Sequence, residues 1–299
     1  MARPTQQDIN GDALRFLVMG DWGGSGGSEP QAKIADRMAS VADEIGSVSF
    51  VLALGDNFYR VDDPRFKTSY EDVYTHSSLQ VPWYLIAGNR DHKGNVQAQI
   101  DYTKVSSRWR FPALYYSTVT TLPRSNVTVQ FIFLDTMLYL GPNNELQDMW
   151  LEDTLQKSTA DWLFVCGHHP VYSAGRHGPT PRLVNQLRPL LEKYKVAAYF
   201  CGHDHNLQHI QDGSSVDYFV SGSGYETCDE RTDSLPQNAS KFFWPPKVTP
   251  FGGFMTTEIV DQRSMSVNFY DSEGQVLYSC RKTNPRSSPS LTPSLRGSN

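Results

Sequence analysis

The sequence predicts an α/β fold, and three observations carry that expectation. Short apolar runs recur along the chain, each closed by glycine. The first two are separated by a helical pattern, and the residue after each glycine is Asp, Asn or His. An apolar run of this length bounded by turn residues reads as a buried strand, and strand-helix-strand order reads as an α/β unit.

The first strand is Leu14 to Met19, followed by the glycine-rich loop Gly20-Asp21-Trp22-Gly23-Gly24. Ser28 and Gln31 form a capping-box pair, Ile34, Met38, Val41 and Ile45 recur at helical spacing, and Gly46 supplies the stop. The second strand, 50–54, lies in FVLALGDNFY, so Asp56 leaves the sheet at its carboxyl rim, where open α/β sheets collect ligands. Residues 64–74 read as a short helix, and Trp83 to Ala87 as a strand ended by Gly88-Asn89-Arg90-Asp91-His92. Leu114 to Thr118 and Val127 to Leu134 read as a hairpin. A short helix near Asp148 to Leu155 leads to the strand Trp162 to Cys166 and Gly167-His168-His169-Pro170. Thr180 caps a second clear helix, with Pro181 at its first position and Val184, Leu187, Leu191 and Tyr194 on its inner face. The strand Val196 to Cys201 feeds Gly202-His203-Asp204-His205, and runs at 216–220, 254–260, 265–270 and 275–279 read as mostly antiparallel strands. Residues 222–252 read as a surface loop bordering the site. The expected organisation is one domain over 1–282 and a disordered Ser/Pro-rich tail over 283–299.

With 27 basic and 32 acidic residues in 299, the formal charge of -5 gives no general attraction for nucleic acid or anionic lipid. No run approaches the ~18 apolar residues of a membrane span, and the opening MARPTQQDINGDA lacks the apolar stretch of a signal peptide. The four cysteines, Cys166, Cys201, Cys228 and Cys280, are too scattered for a disulfide framework or a thiolate metal site. Asn126-Val-Thr and Asn238-Ala-Ser are glycosylation sequons, relevant to a chain in the secretory pathway.

Asp21, Asp56, Asn89, His168, His203 and His205 all follow such runs and are expected at one rim. Singly, each reads as a turn residue or a satisfied polar group. Jointly they form an oxygen and imidazole set that suits iron, zinc or manganese. His203 and His205, two apart in an extended chain, point to one side with room for each to serve a different ion. Two ions about 3.5–4 Å apart need a bridging carboxylate, and Asp56 on the central strand is the natural one. Tyr59 discriminates: a phenol with a pKa of about 10 becomes a ligand only beside a strongly polarising cation, which points to Fe(III).

GDWGG at 20–24, GDNFY at 55–59, AGNRDH at 87–92, GHHP at 167–170 and GHDHNLQ at 202–208 resemble the five motif blocks of the purple acid phosphatases, in the metallophosphoesterase superfamily. GNVQAQIDY at 94–102, RWRFP at 108–112, HGPT at 177–180 and QLRPLL at 186–191 resemble the short, single-domain animal type, the tartrate-resistant acid phosphatases. The resemblance implies a four-layer α/β/β/α sandwich of two mixed sheets flanked by helices, the calcineurin-like fold. It implies two metal ions: Fe(III) at Asp21, Asp56, Tyr59 and His205, and a divalent ion, Fe or Zn, at Asp56, Asn89, His168 and His203. The implied activity is acid phosphatase: hydrolysis of phosphate monoesters, small molecules or phosphoproteins, by a hydroxide that the metal pair activates. It also implies a glycoprotein monomer of lysosomal or secreted location. The missing signal peptide leaves the cytoplasm open.

The sequence departs from the family in two places. Where the family has a histidine that binds phosphate and protonates the departing alkoxide, this chain has Arg90. Arginine grips phosphate but cannot release its proton, so binding survives while protonation suffers. His177, at the family's second active-site histidine, is the expected substrate-binding and catalytic group, with His92 a flanking alternative. The loop Leu138-Tyr139-Leu140-Gly141 is short and has no cysteine to pair with Cys201. The competing readings are a metal-binding but catalytically weak homologue that serves as a phosphate or partner-binding protein, and a phosphodiesterase or phosphoprotein phosphatase. Tyr59 speaks against the last.

Overall fold

The computed structural model describes residues 13–287, apart from 25–26, 60–64, 123–124, 143, 246 and 248–250. Two seven-stranded mixed sheets pack face to face. In the first, β1 (Leu14–Met19), β2 (Phe50–Ala53), β3 (Trp83–Leu85) and the short β4 (Trp109–Arg110) run parallel in that order. On the other side of β1, β12 (Gly253–Ile259), β13 (Ser264–Asp271) and β14 (Val276–Thr283) add antiparallel strands. In the second sheet, β6 (Thr128–Phe133), β7 (Trp162–Cys166), β8 (Ala198–Cys201) and β10 (Asp217–Ser221) are parallel neighbours. β5 (Tyr116–Thr121) closes one edge, and β9 (Leu207–Ile210) with β11 (Ser240–Trp244) the other.

Alternation along each strand divides the core. Leu14, Phe16 and Val18 of β1 face the second sheet; Phe16 stacks on its neighbour Phe50 of β2 at 5.0 Å and meets the edge of Phe131 of β6, across the interface, at 5.3 Å. Leu17 and Met19 face outward, under Ile34, Ala35 and Met38 of α1 (Glu29–Ile45). The second sheet does the same: Leu163, Val165, Tyr199 and Cys201 pack with Leu151 and Leu155 of α3 (Glu145–Lys157) and Leu191 of α4 (Arg188–Lys193). A strand apolar on both faces needs cover on both, and the result is a four-layer α/β/β/α sandwich. Among the described residues, no helix is long and apolar enough to cross a membrane.

The carboxyl ends of β1, β2, β3, β7 and β8 meet along one rim. Gly20 N–H donates to Ser221 carbonyl (2.6 Å) and Gly202 N–H to His168 carbonyl (3.1 Å). Gly167 leads into His168 at the end of β7, and Gly88 is the residue before the short α2 (Asn89–Lys93).

Several expectations need correction. Ser28 sits at the start of α1 but its side chain caps nothing; Gln31 instead turns inward, accepting from Gly27 N–H (3.0 Å) and donating to Ser69 carbonyl (2.9 Å). The helix expected over 64–74 is one wide helical turn, Lys67–Glu71, and the part of that expectation before residue 65 lies outside the described residues. The excursion 222–252 contains β11, an exposed edge strand, and β9 has no apolar signature because Gln208 and His209 are buried by their side-chain partners. Residues 283–287, expected in a disordered tail, belong to the fold: Thr283 ends β14, Asn284 donates to the carbonyls of Asp161 (2.9 Å) and Gln262 (2.8 Å), and Arg286 to those of Tyr194 (3.0 Å) and Ser158 (2.8 Å). Residues 288–299 lie outside the described residues. All four cysteines are unpaired.

Candidate dinuclear metal centre

Five loops deliver the seven proposed ligands to one place, and three of those ligands leave ordinary backbone space to get there. Asp21 (φ 57°), Asp56 (φ 51°) and His203 (φ 71°) all occupy the left-handed region, at a cost of about 1–3 kcal/mol each. Such strain persists only where the surroundings enforce it. The glycines at the rim let backbone and ligands approach: a Cβ on Gly88 would lie 2.2 Å from Asp56 Oδ1, and one on Gly202 2.4 Å from Asp21 Oδ2.

The donors form two triads. In the first, Tyr59 OH lies 3.0 Å from His205 Nε2 and 3.4 Å from Asp21 Oδ1, with His205 Nε2 3.5 Å from Asp21 Oδ1. In the second, Asn89 Oδ1 is 3.1 Å from both His168 Nε2 and His203 Nδ1, and the two ring nitrogens are 3.2 Å apart. Asp56 Oδ1 lies 3.5 Å from His168 Nε2, and Asp21, Asp56 and His168 each offer an atom within 4.8 Å of the others. Asp56 therefore stands between the triads. One sequence argument needs correction: with His203 at φ 71° the segment holding His203 and His205 is bent, not extended, and the bend sends the two rings into different triads.

The donor set fits a pair of cations. His168 Nδ1–H donates to Leu54 carbonyl (2.9 Å), which leaves the Nε2 lone pair facing the site. His205 Nδ1–H donates to Glu226 Oε1 (3.0 Å), which likewise turns Nε2 inward. Burial pushes the Asp56 carboxyl up to about 7, with Asp21 and Asp91 adding repulsion against His168. Burial, then Asp21 and Asp56, raises the Tyr59 phenol well above its ordinary value, so its ionisation calls for a strong positive charge. His205 is opposed by burial, but Asp21 and Glu226 outweigh it and lift its pKa to about 10. Buried carboxylates with lone-pair nitrogens beside them are groups that cations stabilise.

A second layer of buried groups holds this arrangement. Asp91 Oδ2 accepts from Gly88 N–H (2.8 Å) and Asn57 N–H (3.1 Å), and Oδ1 from Phe58 N–H (3.1 Å) and Gln99 (2.8 Å), so it ties the loop of Asp56 to that of Asn89. Asp204 accepts from His177 Nδ1–H (2.6 Å) and from Ser173 Oγ–H. Asp21 Oδ2 accepts from His203 N–H (2.7 Å) and Asp56 Oδ1 from Arg90 N–H (2.8 Å).

At the mouth, the Arg90 guanidinium carbon stands 5.5 Å from the Tyr59 ring centre, and the His177 ring packs on His203 at 4.2 Å. Arg90 thus belongs to the Tyr59 side and His177 to the His203 side. His92 is turned away into a 2.6 Å pair with buried Asp135, which raises its pKa against the effect of burial. Sequence reasoning missed Glu226 and the supporting roles of Asp91 and Asp204. The last two lie inside quoted motif blocks, where their spacing was a usable signal; Glu226 lies in the long excursion and had none.

The calcineurin-like phosphoesterase family matches residues 14–207. The chain is 41% identical over 300 residues to tartrate-resistant acid phosphatase type 5 of Oryctolagus cuniculus, covering 90% of each. It is 34% identical over 305 residues to purple acid phosphatase 7 of Arabidopsis thaliana, covering 93% of this chain and 88% of that one. Among solved structures it is similar to GAP50, the anchor in the inner membrane complex of Plasmodium, with a TM-score of 0.80 and 28% identity, covering 91% of this chain and 89% of that one. The family match and the similarity over about nine-tenths of the relatives' length place the chain in the calcineurin-like phosphoesterase family, among its purple acid phosphatases, which are phosphoric monoester hydrolases.

Proposed function

We propose that the protein is an acid phosphatase that hydrolyses phosphate monoesters at a pair of metal ions, and that Arg90 weakens it on poor leaving groups. The observation that carries this is the pair of donor triads on either side of Asp56. Fe(III) at Asp21, Asp56, Tyr59 and His205 and a divalent Fe or Zn at Asp56, Asn89, His168 and His203 suit the two donor sets, since only the first has a phenol. When bound, such a pair polarises a phosphoryl oxygen and makes water nucleophilic at acidic pH.

The chain's own residues supply the rest. Arg90 grips phosphate oxygens with a guanidinium that holds its protons throughout. His177 is fixed by Asp204 at Nδ1, so Nε2 is its free atom, and from the doubly protonated ring it passes a proton to the departing oxygen. Because His177 is exposed at the mouth, that donor is less firmly placed than a buried one. The likeness to GAP50, described as an anchor, favours a second reading in which a metal-loaded scaffold with slow turnover serves a partner. A single domain that includes the docked residues 284–287, acting as a monomer, is part of the proposal.

A visible spectrum with metal analysis, followed by turnover of an aryl phosphate, tests it. Two metal ions, a tyrosinate charge-transfer band that Tyr59→Phe abolishes, and aryl phosphate hydrolysis are expected. A colourless two-metal protein sinks the Fe(III)–Tyr59 assignment. A coloured protein without turnover selects the scaffold reading.

A further inference from the structure

One buried histidine beside the triads belongs to neither. His169 is anchored at both ends of its backbone: its N–H donates to Thr136 Oγ1 (3.1 Å) and its carbonyl accepts from the Tyr199 hydroxyl (2.8 Å). Its Nδ1 lies 2.7 Å from the same Thr136 oxygen. Thr136 is fully buried, and its hydroxyl proton has one acceptor among the described residues, His169 Nδ1. Thr136 Oγ1 accepts from the backbone N–H and donates to the ring, which fixes neutral His169 as its Nε2–H tautomer. That Nε2–H has no partner among the described residues, in a ring only 9% exposed.

The position of the ring gives the donor a use. Its centre lies 4.3 Å from that of His203 and 5.2 Å from that of His168, two of the three members of the second triad. His177 also packs on His203, at 4.2 Å, but spends its Nδ1–H on Asp204. Arg90 stands on the opposite, Tyr59 side. With His177 Nε2 assigned to the departing oxygen, His169 Nε2–H is, among these groups, the donor left on the His203 side for a non-bridging phosphoryl oxygen.

We infer that His169 is a substrate-contacting residue whose Nε2–H donates to a phosphoryl oxygen on the His168/His203 side of the centre. A buried ring fixed at Nδ1, on a backbone held at both ends, presents its remaining donor with little loss of side-chain entropy on binding. A filler of the same space needs no nitrogen at all.

This inference rests on the phosphatase reading, and the test keeps the two apart. Binding of inorganic phosphate to the metal-loaded protein is measured by calorimetry, with metal content and KM for an aryl phosphate, for the parent, His169→Phe and His169→Gln. Loss of one neutral hydrogen bond predicts a roughly 3- to 10-fold weaker Kd and higher KM in the Phe variant, and return to within about twofold of the parent in the Gln variant. Metal content stays at the parent level in both. A Phe variant that binds phosphate like the parent, a Gln variant no better than Phe, or weakened binding that tracks lost metal would each overturn the assignment alone. A metal-loaded parent that neither binds phosphate nor turns over the ester overturns the phosphatase reading and this inference together.

Discussion

Replacing Asp91 with alanine removes a carboxylate that no substrate touches, yet the site depends on it. Asp91 is 1% exposed and accepts four hydrogen bonds, three of them from the backbone N–H groups of Gly88, Asn57 and Phe58. Those three donors belong to the turns that carry Asn89 and Asp56. A stranded buried donor costs about 1–3 kcal/mol, and alanine strands three plus the Gln99 amide. Two effects offset part of this: water can enter the space left behind, and a desolvated carboxylate, whose pKa burial raises, is removed. The net loss expected is roughly 3–6 kcal/mol, a large share of the ~5–15 kcal/mol of an ordinary domain. Asp91→Asn should fall between, because its oxygen still accepts while its NH2 faces donors. Urea unfolding of the metal-free proteins measures the stability term, and metal retained after gel filtration measures the effect on the site. A midpoint shift worth less than about 1 kcal/mol, with metal fully retained, would show that these turns are held by their glycines and sheet contacts instead.

Other perturbations address the chemistry more directly. Arg90→His restores a group that can release a proton, and should raise alkyl phosphate turnover relative to aryl phosphate by on the order of 10²-fold; an unchanged ratio shows that residue 90 is not at the leaving group. Glu226→Ala leaves His205 Nδ1–H without its anionic acceptor and should weaken metal binding at the Tyr59 side about 10- to 100-fold in chelator competition; equal affinity would make Glu226 incidental. In the metal-free protein, folded Asp56 holds its proton up to about 7 while the unfolded chain releases it near 4. The folded state then binds more protons across that window, so this group's contribution to stability falls as pH rises from about 4 to about 7. Asp56→Asn should flatten that slope in thermal melts. The same slope in the variant assigns it to other groups.

Much of the fold was readable because its signal is local. Every run that ends in glycine at the rim is a strand, since a buried strand needs only a short apolar stretch and a turn. The hairpin of β5 and β6 and the helix after Pro181 were equally plain. What escaped depended on partners far away: β9 is polar in sequence but buried against Ser173 and Asp217, β11 is an exposed edge, and 284–287 are docked by bonds to distant carbonyls. Ser28 had a capping signature, but Gln31 found a better partner in Ser69.

The order of residues alone determined which side chains are candidates for the chemistry. Each donor follows a strand end by one residue or a few, and that placement is written into a few consecutive positions. Only the folded chain decided which donors converge. Asp21 and His203 are 182 residues apart and yet 2.7 Å from one another, and a left-handed bend at His203 sends it to Asn89 while His205 goes to Tyr59. The same holds for Glu226 behind His205 and for the free nitrogen of His169, because tautomer and orientation are set by hydrogen bonds across loops that meet only when the two sheets close on one another.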